Sequence, residues 1–525
     1  MIKTNISLPI EYNTDSIKDA ISASLPIKKE EIGDISILRR RLILSDSEGP
    51  SYLTTIAFST GIEKEKGLLK MRKKVSEHTP FSYTPPTFRG DFRPVVVGSG
   101  PCGLFAALTL AEAGARPILI ERGLPVDERA NLISQFERFG ILDSECNVQF
   151  GEGGAGTYSD GKLKVGAMDM YKAKVIDSFI SSGATEDIAY STTAHLGTDR
   201  LPTIIRSLRE HLISLGGEVI FSAKLVKLVT VGNKLTAIEY EKEGSIISLP
   251  TEAAILATGH SARDTISMLY NMGLPMEAKG FGVGMRIEHP REYIDKIVYG
   301  NSYGRIPESA SYHLVTHLPT GRSVYSFCMC PGGSVVAATS EERAVVTNGM
   351  SPFSRSEDNS NAALLISVTP EDFGSSHPLA GFDFQRGIER GAYSLTSEYK
   401  APSIRLCDFM TSSAPTIGSV KPSYPRGTIP TRPENFLPKY ITDSLATAMQ
   451  DFDAWLPGYN YGEAVLTGPE TRTTSPVRIM RGESGEAVGF SGIYPAGEGA
   501  GYAGGIVSSA TDGIRIAEKL ILKFS

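Results

Sequence analysis

The chain of 525 residues carries 53 Lys and Arg against 59 Asp and Glu, for a formal charge of −6, with 41% hydrophobic residues and five cysteines. Length alone suggests about two to four domains and a large core, at roughly 150 residues per domain. The acidic balance gives no electrostatic case for nucleic acid, and five scattered cysteines exclude a disulfide framework, so reduced thiols are expected.

Residues 1–88 read as a small α+β unit. A strand is expected near Lys3 to Leu8, a helix over Asp15 to Ser24 capped by Thr14, and strands near Ile35 to Leu44 and Tyr52 to Ser59. This alternation fits a ferredoxin-like sandwich. The N-terminus lacks the apolar segment and cleavage site of a secretory signal, and no clean membrane span follows, so a cytoplasmic protein without a membrane partner is expected. The two dense basic runs, Arg39 to Arg41 and Arg72 to Lys74, are read as solvated faces. Thr79 to Arg89 is proline-rich and non-periodic, which makes it a linker.

Residues 89–274 hold the stretch that organises the chain. Val95-Val96-Val97 runs into Gly98-Ser99-Gly100-Pro101-Cys102-Gly103, then a helix-length apolar segment, then Ile118-Leu119-Ile120 closed by Glu121. Strand, Gly-x-Gly-x-x-Gly turn, helix and acid describe a dinucleotide site. Gly98 permits the turn, Gly100 lets a pyrophosphate approach, and Gly103 lets the helix sit on the strand. Glu121, 18 residues past Gly103, is expected to accept from an adenosine ribose, with Arg122 and Arg129 as further cofactor contacts. A membrane helix is the plain alternative for the apolar part, and three glycines, a proline and Glu112 argue against it.

Five glycines between Gly151 and Gly161 make a loop whose backbone can lie against a flat ligand or a phosphate, with Gly153, Gly154, Ala155, Gly156 and Thr157 as contacts and Lys162 at its end. A helix from about Asp199 to Leu215 precedes three short strands, Glu218 to Phe221, Leu225 to Val229 and Leu235 to Tyr240, read as a meander. The chain then returns through Ala253 to Leu256 into Ala257-Thr258-Gly259-His260, an apolar strand arriving beside the cofactor.

Residues 275–481 read as an inserted mixed α+β domain supplying the substrate wall, with Arg286 and His289 near its start and Arg472 near its end. His260, His289 and Arg472 each have a structural alternative: capping a helix, closing a turn, or pairing with Glu470. The polar segment Gly349 to Asn361 suggests a mobile loop or lid. Cys328 and Cys330 are expected on one face of a strand, where they would be redox partners of a flavin or simply small buried thiols; no second ligand pair accompanies them for a metal.

In residues 482–525, Gly497-Glu498 followed by Gly504-Gly505-Ile506 and a helix from about Val507 to Leu522 repeats the logic of the first motif. Glu498 could hold a ribityl hydroxyl, and the helix N-terminus could stabilise negative charge on a flavin ring, where Lys162, Arg472 or Tyr502 would lie. One fingerprint near residue 100 and a second contact near residue 500 suggest one long cofactor, FAD.

These segments, with Asn147 to Leu163, Tyr325 to Gly333 and Glu470 to Arg478, resemble the FAD-binding fold shared by glutathione reductase, p-hydroxybenzoate hydroxylase and succinate dehydrogenase. More narrowly the chain is similar to the bacterial group of uncharacterised FAD-dependent dehydrogenases, or NAD(P)/FAD-dependent oxidoreductases. The resemblance implies an α/β protein with a Rossmann-like FAD-binding domain, an inserted domain, an N-terminal ferredoxin-like domain and bound FAD, and no particular substrate. Cys102 stands where alanine is usual, and Glu498 where many relatives carry aspartate. The expected activity is oxidoreduction of a small organic substrate. NAD(P)H could act as a transient reductant, although no second dinucleotide fingerprint is present. The alternatives are a flavin-dependent RNA-modifying or RNA-binding protein and a flavoprotein whose FAD is structural. The sequence leaves the oligomeric state open.

Overall fold

A computed structural model describes every residue except 46, 48, 164 and 165. Its centre is a five-stranded parallel sheet in the order Ile493–Pro495, Ala254–Leu256, Val95–Val97, Ile118–Ile120, Glu218–Ile220. Strands covered on both faces read as unbroken apolar runs, and the three middle strands are buried at every position. The helix Pro101–Glu112 is buried from Cys102 to Ala111, as a helix apolar all round must be. It packs along Ile506–Lys523, where a Cβ on Gly513 would lie 2.1 Å from the Cys102 carbonyl oxygen.

Glu218–Ile220 corrects the expected meander, because its pairing partner is the parallel strand Ile118–Ile120. The meander proper consists of Lys224–Val231, Lys234–Lys242 and Ser245–Pro250.

The segment after residue 275 builds a seven-stranded sheet around Phe281–Pro290, a strand buried at every residue before Pro290. Phe281–Pro290 lies antiparallel between Asn359–Val368 and Val465–Glu470, and Ser323–Cys330 pairs on the far side of Asn359–Val368. Amphipathic helices Ala380–Thr396 and Lys439–Trp455 carry apolar faces that join this core. A two-stranded ribbon, Met276–Ala278 with Val477–Ile479, ties the segment back to the parallel sheet. The expected lid at 349–361 is corrected: its ends lie in the strands Thr347–Met350 and Asn359–Val368, and Ser351, Arg355, Ser360 and Asn361 are buried.

The N-terminal residues form a four-stranded sheet in the order Ile35–Ile43, Ser51–Phe58, Ile2–Pro9, Val75–Glu77, with helices Thr14–Ser24 and Ile62–Leu69. Asn13, not Thr14, caps the first helix, its side chain accepting from the Ser16 N–H at 2.9 Å in a reciprocal capping box. Arg40 departs from the expected solvated face. Its guanidinium lies over the Tyr52 and Tyr190 rings at 4.8 and 5.3 Å, and its backbone exchanges hydrogen bonds with Tyr190 and Thr192. Among the described residues no helix is long and apolar enough to cross a membrane.

Candidate functional site

The parallel strands end at one cavity of about 470 Å³, lined by Val97, Ile120, Ala257 and Ala496 at the points where four strands give way to loops. Ligands of open α/β sheets bind at this carboxyl edge, since helix N-termini converge there. The helices Pro101–Glu112 and Ile506–Lys523 begin at Gly100 and Gly505, which both line the cavity and neither of which has a side-chain cap. Their first N–H groups are therefore available to a phosphate or to an anionic ring edge.

The glycines fit such a cradle. Gly98 turns with a φ of +99°, and a Cβ on Gly103 would lie 1.7 Å from the Gly98 carbonyl oxygen, so the helix can approach the strand only if Gly103 has no side chain. Across the cavity a Cβ on Gly154 would meet the Gly100 backbone at 3.1 Å, so the second loop lies against the first turn. Of the expected contacts, Gly98, Gly100, Pro101, Cys102, Glu121 and Arg122 line the cavity. So do Gly154, Ala155 and Gly156 from the second loop, Ala257, Thr258 and Gly259 from the returning strand, and Glu498, Gly504, Gly505 and Ile506 from the last segment.

Five expected contacts lie behind the wall instead. Ser99 and Thr157 are buried in the protein, Gly103 serves helix packing, Gly153 closes on Thr157 and Ile205, and Gly497 closes on Cys102. Arg129 is a larger correction. It is fully buried, its guanidinium donating to the carbonyls of Asn147, Val148, Gly151 and Glu152, which holds the glycine loop and touches no ligand space. Glu121 lines the cavity, yet its carboxylate already accepts from the Ser99 N–H and hydroxyl at 2.8 Å and from the Gly123 and Gly151 N–H groups at 3.0 Å. Four donors fill the usual acceptor sites of a carboxylate, so in this structure it clamps the turn to the loop.

Three of the expected catalytic residues meet in the cavity wall: Lys162, His260 and Arg472. The half-buried His260 imidazole shares a 2.9 Å hydrogen bond between Nδ1 and the Ser261 hydroxyl. Burial, with the Arg472 and Arg263 charges, pushes its pKa down to about 3, so the ring is neutral at physiological pH. Arg472 does not pair with Glu470. Its Nε and Nη2 hold Glu389 at 3.0 and 2.9 Å, which leaves Nη1 to reach the Ser261 and Ser340 hydroxyls.

The other three catalytic candidates are structural. Arg286 is fully buried and pairs with Glu470 through Nε at 2.7 Å and Nη2 at 2.9 Å. His289 is also fully buried, bonded through Nε2 to the Tyr459 carbonyl at 2.9 Å. Tyr502 stacks under Arg481 at 3.7 Å and donates to the Ile479 carbonyl.

Glu498 faces the cavity with no hydrogen bond to its carboxyl among the described residues, and burial pushes its pKa up to about 8 against the opposing Lys279 charge. A protonated carboxyl without an internal partner suits a ligand hydroxyl. The sequence gave no sign of Glu389, whose carboxylate joins Arg263 and Arg472 and accepts from the Thr471 hydroxyl at 2.7 Å. Gln149, which lines the cavity and accepts from Ser261 at 3.2 Å, was also missed, although it lies inside the singled-out loop.

Several solved structures match the chain at low similarity. A flavin-dependent brominase, the Bmp2 triple mutant, is 11% identical, with 82% of this chain and 80% of that one covered at a TM-score of 0.37. A flavoprotein/dehydrogenase from Cytophaga hutchinsonii is 12% identical, with 82% and 78% covered at 0.37. A 3-ketosteroid-delta4-(5alpha)-dehydrogenase from Rhodococcus jostii RHA1 is 12% identical, with 83% and 99% covered at 0.36. In sequence, residues 280–473 match the family described as FAD-dependent protein, C-terminal domain-like. An uncharacterized protein of Clostridium beijerinckii is 42% identical over 99% of this chain and 98% of its own length. The chain belongs to the family of that Clostridium protein, and its cofactor is FAD.

Proposed function

We propose that this protein is a FAD-dependent oxidoreductase that moves hydride or electrons between the flavin and a small organic substrate bearing a carboxylate or carbonyl oxygen. The carrying observation is the pairing, in one cavity, of two uncapped helix N-termini with Arg472, whose Nη1 reaches the Ser261 hydroxyl beside a neutral His260. The N-termini at Gly100 and Gly505 would hold the pyrophosphate and the ring edge, the Gly154 to Gly156 loop would lie along the ligand, and Glu498 would donate to a hydroxyl of the chain between them. Bound there, FAD supplies the two-electron chemistry. Arg472 and His260 would orient the substrate oxygen, with Lys162 in the same cavity wall.

The same reading divides the chain into a ferredoxin-like domain over 1–88, supported by its βαββαβ element order. It continues with a FAD-binding Rossmann-like domain over 89–274 and 482–525, and an inserted substrate domain over 275–481. NAD(P)H is the proposed transient reductant, and a cytoplasmic setting accompanies that supply.

The test is an anaerobic titration with NADH, NADPH and a panel of organic donors, following the visible flavin spectrum. Bleaching by a donor and recovery with an acceptor is the expected result. Protein that emerges colourless and takes up no added FAD would overturn the reading.

A further inference from the structure

The cavity wall contains one residue that oxidoreduction as proposed above does not use. Ser323–Cys330 pairs regularly with Asn359–Val368 as far as Phe327 opposite Ala363, then shifts register before Cys330 opposite Asn361. Cys328 lies in this bulge with a φ of +44°, a left-handed conformation that costs a residue with a Cβ. The bulge is held from behind. The Cys328 carbonyl accepts from Arg286 Nη1 at 3.0 Å and from the Cys330 thiol at 3.2 Å, and Arg286 is fixed in turn by Glu470.

The distortion turns the half-buried Cys328 side chain to line two spaces at once: the main cavity and a second one of about 280 Å³. Lys162 lines both as well. Beyond this partition the second cavity sets Thr192, Ser311, His313 and Arg355 among apolar residues in its wall. Strained backbone at a shared wall, a neighbouring thiol bonded to the same residue's carbonyl and a lysine at the same partition recur where sulfur chemistry is done.

We propose that Cys328 and Cys330 form a thiol–disulfide exchange site, Cys328 attacking and Cys330 resolving, which takes a small disulfide through the second cavity. In the first step the Cys328 thiolate attacks one substrate sulfur; the substrate S–S bond breaks, a mixed disulfide forms and one thiolate leaves. In the second, Cys330 loses its proton and attacks Cys328 Sγ; the mixed bond breaks, the protein disulfide forms and the second thiolate leaves, taking up that proton. The two cysteines are oxidised by two electrons and the substrate disulfide is reduced by two.

The groups facing Cys328 favour its ionisation. The hydrogen bond from Cys330, then the Arg286 and Lys162 charges, hold its thiol below the usual value against burial, while Asp160 opposes them. Asp160 is itself paired with Lys162 at 3.8 Å and with Arg355 at 3.4 Å, and Glu470 is spent on Arg286. Cys330 is held well above the usual value, as fits a resolving thiol.

The step requires no flavin, so its failure and the failure of the oxidoreductase reading are distinguishable. The test uses the full-length flavin-carrying protein with Cys407→Ser, which removes the exposed thiol outside the site. With 5,5′-dithiobis(2-nitrobenzoate) as probe, this protein is expected to release two coloured thiolates and to show a Cys328–Cys330 link on peptide mapping. Adding Cys330→Ser should halve the release and trap a mixed disulfide on Cys328, and adding Cys328→Ser should abolish the fast phase. In the unsubstituted protein, iodoacetamide should label Cys328 about tenfold faster than Cys407 at neutral pH, with a midpoint below the ~8.5 of a free thiol. Labelling no faster than Cys407, or two thiolates released without Cys330, would overturn the proposal.

Discussion

The Arg472 guanidinium and the Glu389 carboxylate form a two-point ion pair inside the protein, Nε to Oε1 at 3.0 Å and Nη2 to Oε2 at 2.9 Å. Arg263 occupies the same carboxylate at 3.0 and 2.9 Å, so one buried anion holds two buried cations. The Arg263 and Arg472 charges keep Glu389 ionised despite its burial. Glu389→Gln preserves shape but leaves Arg472 without a carboxylate and Arg263 with Glu341 alone. It is expected to cost about 3–5 kcal/mol, the usual penalty for removing one partner from a buried pair, and to lower the thermal midpoint accordingly. Arg472→Lys retains the charge but loses the two-point grip, so a smaller loss of stability and a larger loss of substrate-dependent flavin reduction are expected. Unfolding scans on both variants check the order.

Arg129 offers a second test, because it acts on the cavity without entering it. Its guanidinium satisfies four loop carbonyls from Asn147 to Glu152. Arg129→Met fills the volume but takes the donor from the Asn147 and Val148 carbonyls, at about 1–3 kcal/mol for each group left buried and unsatisfied, while Gly151 and Glu152 keep the Gly154 N–H and the Thr157 hydroxyl. The expected outcome is a loop newly open to limited proteolysis near residue 150 and protein that loses FAD on gel filtration. A variant that keeps both its flavin and its resistance to protease would show that the loop stands without the arginine.

The strand, turn and helix of residues 95–112 were legible because each is locally encoded: apolar triplets for a strand buried on both faces, glycines where backbones touch, and a helix apolar all round. The wall opposite was not. Arg286, His289, Glu389 and Arg472 are polar residues inside buried elements, and which carboxylate each arginine meets depends on strand register and helix packing across more than 80 residues of chain. Glu121 shows the limit of a motif. Its position was read correctly, but its hydrogen bonds go to the backbone of Ser99, Gly123 and Gly151, which no spacing rule reveals. The register shift at Cys328 was hidden for the same reason, since a bulge is a property of two strands together.

Gly103 sets how closely the nucleotide-site helix can sit. A Cβ there would lie 1.7 Å from the Gly98 carbonyl oxygen, a backbone atom that can move only if the turn moves. Gly103→Ala should therefore push Pro101–Glu112 off the sheet and carry the Gly100 N–H groups with it. Overpacking of this kind costs about 1–3 kcal/mol, so folded protein with weakened FAD binding is the expected product, read by flavin titration beside circular dichroism. Gly114→Ala, where nothing lies within 4 Å of a Cβ but φ is +87°, controls for backbone strain alone and should retain the flavin.

Glu498 makes the cofactor-free protein sensitive to alkali. Burial raises its folded pKa to about 8, above the ~4.3 of an exposed glutamate. A raised carboxylate contributes its full share of stability below the unfolded value, and that share is lost as pH climbs from about 4.3 to about 8, because the unfolded chain releases its proton first. Solvent reaching the open cavity reduces the effect to about 1–2 kcal/mol across that window. Glu498→Gln, neutral at every pH, should remove this slope, so that the variant gains on the parent protein between about pH 5 and pH 8 in denaturant titrations. Bound FAD should shrink the difference, since a hydroxyl partner would take up the carboxyl that the empty protein leaves unanswered. Parallel curves for parent and variant across the whole range would mean that Glu498 titrates as an exposed side chain and does not serve as the buried partner of a cofactor hydroxyl.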